Sequence, residues 1–181
     1  MNVNAQKPQI YALTVYHIHD KLQENRLDSY LGEALIPALH KTGMKHVGVF
    51  KPIAKDTSDY GKKIYVLTTF ASLDEFRNLE SKLNANQTYL EKGADYINAA
   101  HNQAPYDRME ISLMEAFHDS PAIGLPDLKG PREERIYELR SYEGPTEKLY
   151  KSKVKMFNTG DEIGLFKNLG FNAIFYGDVI A

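Results

Sequence analysis

The sequence has no cysteine among its 181 residues. That excludes disulfides, thiolate nucleophiles and zinc sites of the cysteine type. It leaves the compartment open, because cysteine-free proteins occur everywhere. No apolar run approaches the roughly 20 residues that a membrane helix needs. The opening "MNVNAQKP" carries no apolar core of a secretion signal, so the chain as written reads as cytoplasmic. If "NAQKP" is a mature start behind an added Met1, it reads as exported instead. Positive charge is not in excess: 22 Lys and Arg stand against 24 Asp and Glu, a formal net charge of -2. Nucleic acid is therefore not an expected partner. No serine lies in a nucleophile elbow, and no glycine pattern marks a phosphate loop.

What is present is a globular balance, 43% hydrophobic and 25% charged. The length suits one ordinary domain or two small ones. Residues Met1 to Pro8 are polar and expected to be loose. Ile10 to Ile18, rich in β-branched and aromatic residues, reads as a strand. Apolar residues recur at helical spacing from Leu27 to Leu39, so a helix is expected over Asn25 to Lys41. Pro37 lies inside it as a kink, and Gly43 follows as a stop. Met44 to Ile53 and Lys63 to Phe70 read as strands around the turn-rich "AKDTSDYGKK". Ser72 and Glu75 form a capping box opening a helix to about Leu83. More helix is expected over Tyr89 to Ala100, interrupted at Gly93, then a fourth strand over Arg108 to Phe117. The order β-α-β-β-α-β is that of a ferredoxin-like unit.

After the proline-rich "HDSPAIGLPDLKGPREE" the pattern restarts. A strand over Arg135 to Glu143, a helix over Thr146 to Leu169 and a strand over Phe171 to Ile180 are expected. Tyr11, Leu13 and Tyr16 correspond to Tyr137, Leu139 and Tyr142 at an offset of 126 residues, 137 minus 11. Gly43 corresponds to Gly170. This is an internal repeat. The expected organisation is an α+β chain with a first unit at 9–118, a linker at 119–133 and a partial second copy (β-α-β) at 134–181. A half-unit leaves a strand edge and an apolar face to be covered, so a homo-oligomer, dimer or higher, is expected.

The stretch "RIYELRSYEGPTEKLYKSKVKMFNTGDEIGLFKNLGFNAIFYGDVI", with weaker support from "QIYALTVY", resembles the NIPSNAP family of the dimeric α/β-barrel superfamily. The resemblance spans about Gln9 to Ile180. It implies ferredoxin-like units whose sheets pack face to face, fused in one chain. Members usually continue through a complete second unit, so this chain looks short at its C-terminus. The resemblance implies a fold more than an activity.

Alternation places Glu138, Arg140 and Tyr142 on one face of their strand, and Arg108, Glu110, Ser112 and Met114 on one face of theirs. Tyr16 falls on the corresponding face by the repeat. With the polar faces turned to a barrel interior, Tyr16, Glu110, Glu138, Arg140 and Tyr142 are the candidate lining of a ligand cavity. In one reading Glu138 or Glu110 merely pairs with Arg140. In the other, Arg140 holds a ligand carboxylate or phosphate between tyrosine walls. His17 and His19 share a strand face with Asp20 adjacent, a spacing that can bind a metal; without a third ligand a solvated strand end is the expected reading and no metal is assigned. His40 suits a helix C-terminus. Lys148, Lys151 and Lys155 form one solvated helix face. Two functions are compatible with these residues. One is a protein that binds a small molecule or protein partner through the cavity and needs no cofactor. The other is a cofactor-independent or haem-linked oxygenase of the superfamily.

Overall fold

A computed structural model describes residues 6–55, 57–126, 128–131 and 134–181. Most of the expected loose N-terminus, Met1–Ala5, lies outside the described residues, as do Asp127, Arg132 and Glu133 of the expected linker. The described residues form two compact units: a larger one of Ile10–Met114 with Val179–Ala181, and a smaller one of residues 6–9 with those of 115–178.

In the larger unit β1 (Ile10–His17) pairs antiparallel with β3 (Lys63–Phe70), from Ile10 opposite Phe70 to His17 opposite Lys63. β2 (Val47–Phe50) pairs antiparallel with the other edge of β3. β4 (Arg108–Ala116) and β5 (Gly177–Val179) complete the order β2-β3-β1-β4-β5. Beside β5, Ile180 N–H donates to the Leu113 carbonyl at 2.8 Å and Leu113 N–H to the Ala181 carbonyl at 2.7 Å. The first four strands have the order and connections of a ferredoxin-like unit.

Helix α1 (Lys21–Ser29) starts where Asp20 accepts the Gln23 N–H at 2.8 Å. It runs through a π-helical turn (Tyr30–Leu35) into α2 (Ile36–Lys41). Pro37 explains that turn: it has no N–H for the carbonyl four residues back, and its ring crowds that carbonyl. The expected kink is thus a widened turn, in which Ile36 N–H reaches back to Leu31. Leu27, Leu31, Ala34, Ala38 and Leu39 are buried on the sheet with Ile64, Val66 and Phe70. Burying each large aliphatic side chain contributes roughly 1.5–3 kcal/mol. After β3, Ser72 caps α3 (Leu73–Arg77) through the Glu75 N–H at 3.2 Å. The Glu75 carboxylate reaches back to the Ala71 N–H, one residue before the cap, at 2.7 Å. The short helices α4 (Leu79–Asn84), α5 (Gln87–Lys92) and α6 (Ala94–Ile97) follow.

The smaller unit is built on α7 (Glu147–Asn158) and α8 (Glu162–Asn168). Thr146 caps α7 through the Leu149 N–H. Phe157, 3% exposed, is the hub of its core. The rings of Phe117, Tyr142, Phe166 and Tyr176 lie 5.3–6.1 Å from it. Gln9 is stitched to the 116–123 segment by three bonds: its N–H to Pro121, its carbonyl to Ala116 N–H and its side chain to Ile123 N–H.

The second-copy strands differ from expectation. Residues 135–144 form no regular strand, and in the last segment only Gly177–Val179 is strand. A strand exists only in a ladder, and alternation supplies one face of it but no neighbour. The helix-end equivalence does hold. Gly43 and Gly170 both have positive φ, 96° and 82°. Around them Met44 N–H binds Leu39 and Gly43 N–H binds His40, while Phe171 N–H binds Phe166 and Gly170 N–H binds Lys167. Both helix ends close by the same Schellman pattern.

Candidate functional site

An open concavity of the larger unit is a cleft of about 600 Å³. It is framed by the end of β1, the first turn of α1, the β2–β3 connection and the start of β3. Four lysines line it, Lys21, Lys51, Lys55 and Lys63, with Glu24 among them. Ile18 and Ile64, both buried, contribute apolar wall, and Ile53 and Tyr60 are exposed at its margin. Lys51 Nζ donates to Glu24 Oε1 and Asp28 Oδ2, each at 2.7 Å. Lys21 reaches Glu24 at 2.8 Å and Lys63 reaches Asp59 at 3.1 Å. Burial alone would lower the Lys51 ammonium, but hydrogen bonds to Asp28 and Glu24 outweigh it and hold the pKa above the ordinary lysine value. The Asp59 hydrogen bond likewise raises Lys63. Lys21 and then Lys51 hold Glu24 below the usual carboxylate range. These groups keep their charges at neutral pH. They can neutralise an anion, but such lysines are poor bases or nucleophiles.

The cleft lies outside the sequence expectations, in which "AKDTSDYGKK" is a turn-rich connection. The usable signal is the density of lysines from Lys51 to Lys63 around Tyr60, in the connection from β2 to β3.

The five expected cavity residues are placed as follows. Tyr16 is buried, with ring centroids 5.4 Å from Tyr106 and 6.5 Å from Tyr96. It belongs to the helix-side core with Ile10 and Ala12, not to a face turned away from the helices. Glu110 is exposed; Arg108 Nε lies 2.7 Å from it and His17 Nε2 3.4 Å, the latter in ion-pair range without hydrogen-bond geometry. His17 is the strand neighbour of Tyr16, so successive side chains place Tyr16 and Glu110 on opposite faces of the sheet. The structure separates these two. In the smaller unit Arg140 grips Glu138 in a fork, Nε at 2.9 Å and Nη2 at 3.0 Å. The pair is exposed, and Arg140 holds Glu138 below the usual carboxylate range. Tyr142 is half-exposed and packs edge-on against Phe157, with Lys153 Nζ 5.0 Å above its ring.

Buried tyrosines fill the helix-side core. Tyr30 and Tyr96 stack at 3.7 Å, and the Tyr30 and Tyr89 hydroxyls are 2.9 Å apart. Burial pushes the phenols of Tyr16, Tyr30 and Tyr96 upward, so they stay protonated. His19 Nδ1 meets Asp107 at 2.6 Å, and His40 Nδ1 meets the Met44 carbonyl at the helix end. Among the described residues no group of three His, Cys, Asp or Glu is placed to hold a metal ion. No described helix is long and apolar enough to cross a membrane.

No family model and no curated protein matches the sequence. Solved structures do. A NIPSNAP family protein of unknown function from Agrobacterium tumefaciens is 16% identical, with 60% of this chain and 87% of that chain covered and a TM-score of 0.45. A cofactor-independent oxygenase from Streptomyces nogalater is 11% identical over 58% of this chain and 89% of that one, TM-score 0.37. A dimeric ferredoxin-like protein of unknown function from Thermobifida fusca is 13% identical over 63% and 96%, TM-score 0.38. The chain is similar to a NIPSNAP family protein and to ferredoxin-like proteins, and its own strand order is ferredoxin-like.

Proposed function

We propose that this chain is a binding protein whose larger unit takes a small amphipathic anion in the lysine-lined cleft. The observation that carries the reading is the convergence of Lys21, Lys51, Lys55 and Lys63 on one cleft of a chain whose net charge is -2. The local cations are a placement and not a consequence of composition. Glu24, Asp28 and Asp59 orient the ammonium groups and compete with an incoming anion, so binding is moderate and weakens with salt. The apolar wall of Ile18 and Ile64 suits a hydrocarbon part beside the charged head.

The enzyme reading has less support. General acid–base work favours a group whose pKa is tuned toward the working pH. The phenols of Tyr16, Tyr30 and Tyr96 are pushed away from it, and Glu138 is closed onto Arg140. A cavity that gathers Tyr16, Glu110, Glu138, Arg140 and Tyr142 remains a separate proposal, which ligand binding to Arg140→Ala would test.

The test is titration with a medium-chain fatty carboxylate and with the matching alcohol, read by calorimetry and by amide shifts. The carboxylate should bind about tenfold more tightly than the alcohol, with shifts centred on residues 51–64. Lys51→Met combined with Lys55→Met should remove that preference. Equal binding of carboxylate and alcohol, or shifts elsewhere, would sink the reading.

A further inference from the structure

Helices α7 and α8 of the smaller unit carry large apolar side chains in water beside free lysines. Leu149 and Met156 of α7 are 53% and 50% exposed; Leu165 of α8 and Leu169, which ends it, are 53% and 65% exposed. The two helices are joined where Lys153 Nζ donates to Glu162 Oε1 at 3.0 Å. On α7 Leu149 precedes Lys153 by four residues and Met156 follows it by three. On α8 Leu165 follows Glu162 by three residues and Leu169 by seven. These spacings set all four on the helix sides that carry the joint. The unit's core forms on Phe157 instead, the buried residue of α7.

The charges beside them name the occupant. Residues 147–168 hold five lysines and three carboxylates, a surplus of two cations in a chain of net charge -2. Lys153 is held by Glu162. Lys148, Lys151 and Lys155 are exposed and in no ion pair among the described residues. Spaced by three and four residues, they form one stripe along α7, beside Leu149 and Met156. A lysine stem lies along apolar surface while its ammonium reaches outward for charge. Apolar side chains flanked by free ammonium groups match the boundary of an anionic bilayer, with hydrocarbon below a negatively charged surface. Nucleic acid would meet the lysines and leave the four apolar residues in water. Protein interfaces favour Arg and Trp and are depleted in Lys; neither helix has an arginine or a tryptophan.

We infer that the α7–α8 face of the smaller unit docks on anionic phospholipid bilayers. Leu149, Met156, Leu165 and Leu169 enter the headgroup boundary, and Lys148, Lys151 and Lys155 meet the lipid anions. The helices lie on the bilayer and do not span it. With three lysines and no lipid anchor the docking is reversible and sensitive to salt. It is independent of ligand binding in the lysine cleft of the larger unit.

Sedimentation of the full chain with phosphatidylcholine vesicles, with and without about a third phosphatidylserine, tests this. The chain should bind the anionic vesicles, less so as salt rises from about 50 to about 300 mM, and bind neutral ones little. Each lysine near such a surface is worth about fivefold in partitioning, so Lys148→Gln, Lys151→Gln and Lys155→Gln together should cost about 100-fold. Arginine at the same three positions should keep the binding, which separates charge from any effect on folding. Leu149→Ser with Met156→Ser should weaken it about tenfold. Lys51→Met with Lys55→Met, in the cleft, should leave it unchanged. Equal binding to neutral and anionic vesicles overturns the inference. So does loss of binding on the cleft substitutions, which would mean that the cleft captures the headgroup. A chain that binds neither vesicle also overturns it, and assigns the face to an acidic protein or a second copy.

Discussion

Arg26 and Asp95, 69 residues apart, are joined twice: Arg26 Nε donates to Asp95 Oδ2 at 2.7 Å, and Nη2 donates to the Asp95 carbonyl at 2.9 Å. The remaining arm, Nη1, donates to the Gln103 carbonyl at 2.6 Å. One guanidinium thereby ties α1 to α6 and to the loop behind it. Asp95 is exposed, so the carboxylate contact is screened by solvent, and the carbonyl contacts matter more. Arg26→Ala should cost about 1–2 kcal/mol in urea unfolding and speed amide exchange over residues 94–104. Arg26→Lys should recover little, because one ammonium cannot replace the fork.

The Tyr30 and Tyr89 hydroxyls are buried and 2.9 Å apart. Burial and then the Tyr89 contact push the Tyr30 phenol up. Tyr30→Phe leaves the Tyr89 hydroxyl wanting a partner, at about 1–2 kcal/mol. Tyr30→Phe with Tyr89→Phe should cost less than the sum of the single changes. A double-mutant cycle with no coupling would mean that the hydroxyls do not depend on each other.

The two Schellman glycines allow a matched comparison. A Cβ added to Gly43 or Gly170 meets nothing within 4 Å, yet both residues have positive φ. The penalty of alanine is then one of backbone alone, about 1 kcal/mol at each site. Gly43→Ala and Gly170→Ala should lower the Tm by similar small amounts, and their effects should add.

Acid should loosen the contact between Asp107 and its donors. Hydrogen bonds from Gln23 and then from His19 hold the Asp107 carboxyl below the usual range. A carboxyl lowered on folding contributes stability that is full above its unfolded pKa of about 3.9 and is lost as pH falls through the folded pKa. Asp107→Asn should remove part of the acid-side fall in stability below about pH 5 and leave the neutral side less changed. Identical pH profiles for the two proteins would show that the carboxylate contributes nothing. The group is exposed, so the difference should be small.

The sequence by itself determined what depends on neighbours along the chain. β3 falls on Lys63–Phe70 as its β formers dictate. Asp20, Ser72 and Thr146 act as caps, and Gly43 and Gly170 end their helices, because each needs only bonds within one turn. The repeat was legible for the same reason. Tertiary structure decided what depends on distant residues. It put Tyr16 among the helix-side tyrosines and Glu110 on the other face, which alternation cannot do, since it sorts two faces without naming them. It gave β1 two flanking strands, while the matching residues 136–142 form no regular strand, because pairing is made by partners far away in sequence. It drew Lys21 to one cleft with Lys51, Lys55 and Lys63, thirty and more residues further along the chain. Charges that are unremarkable apart become a site only when the fold brings their fields together.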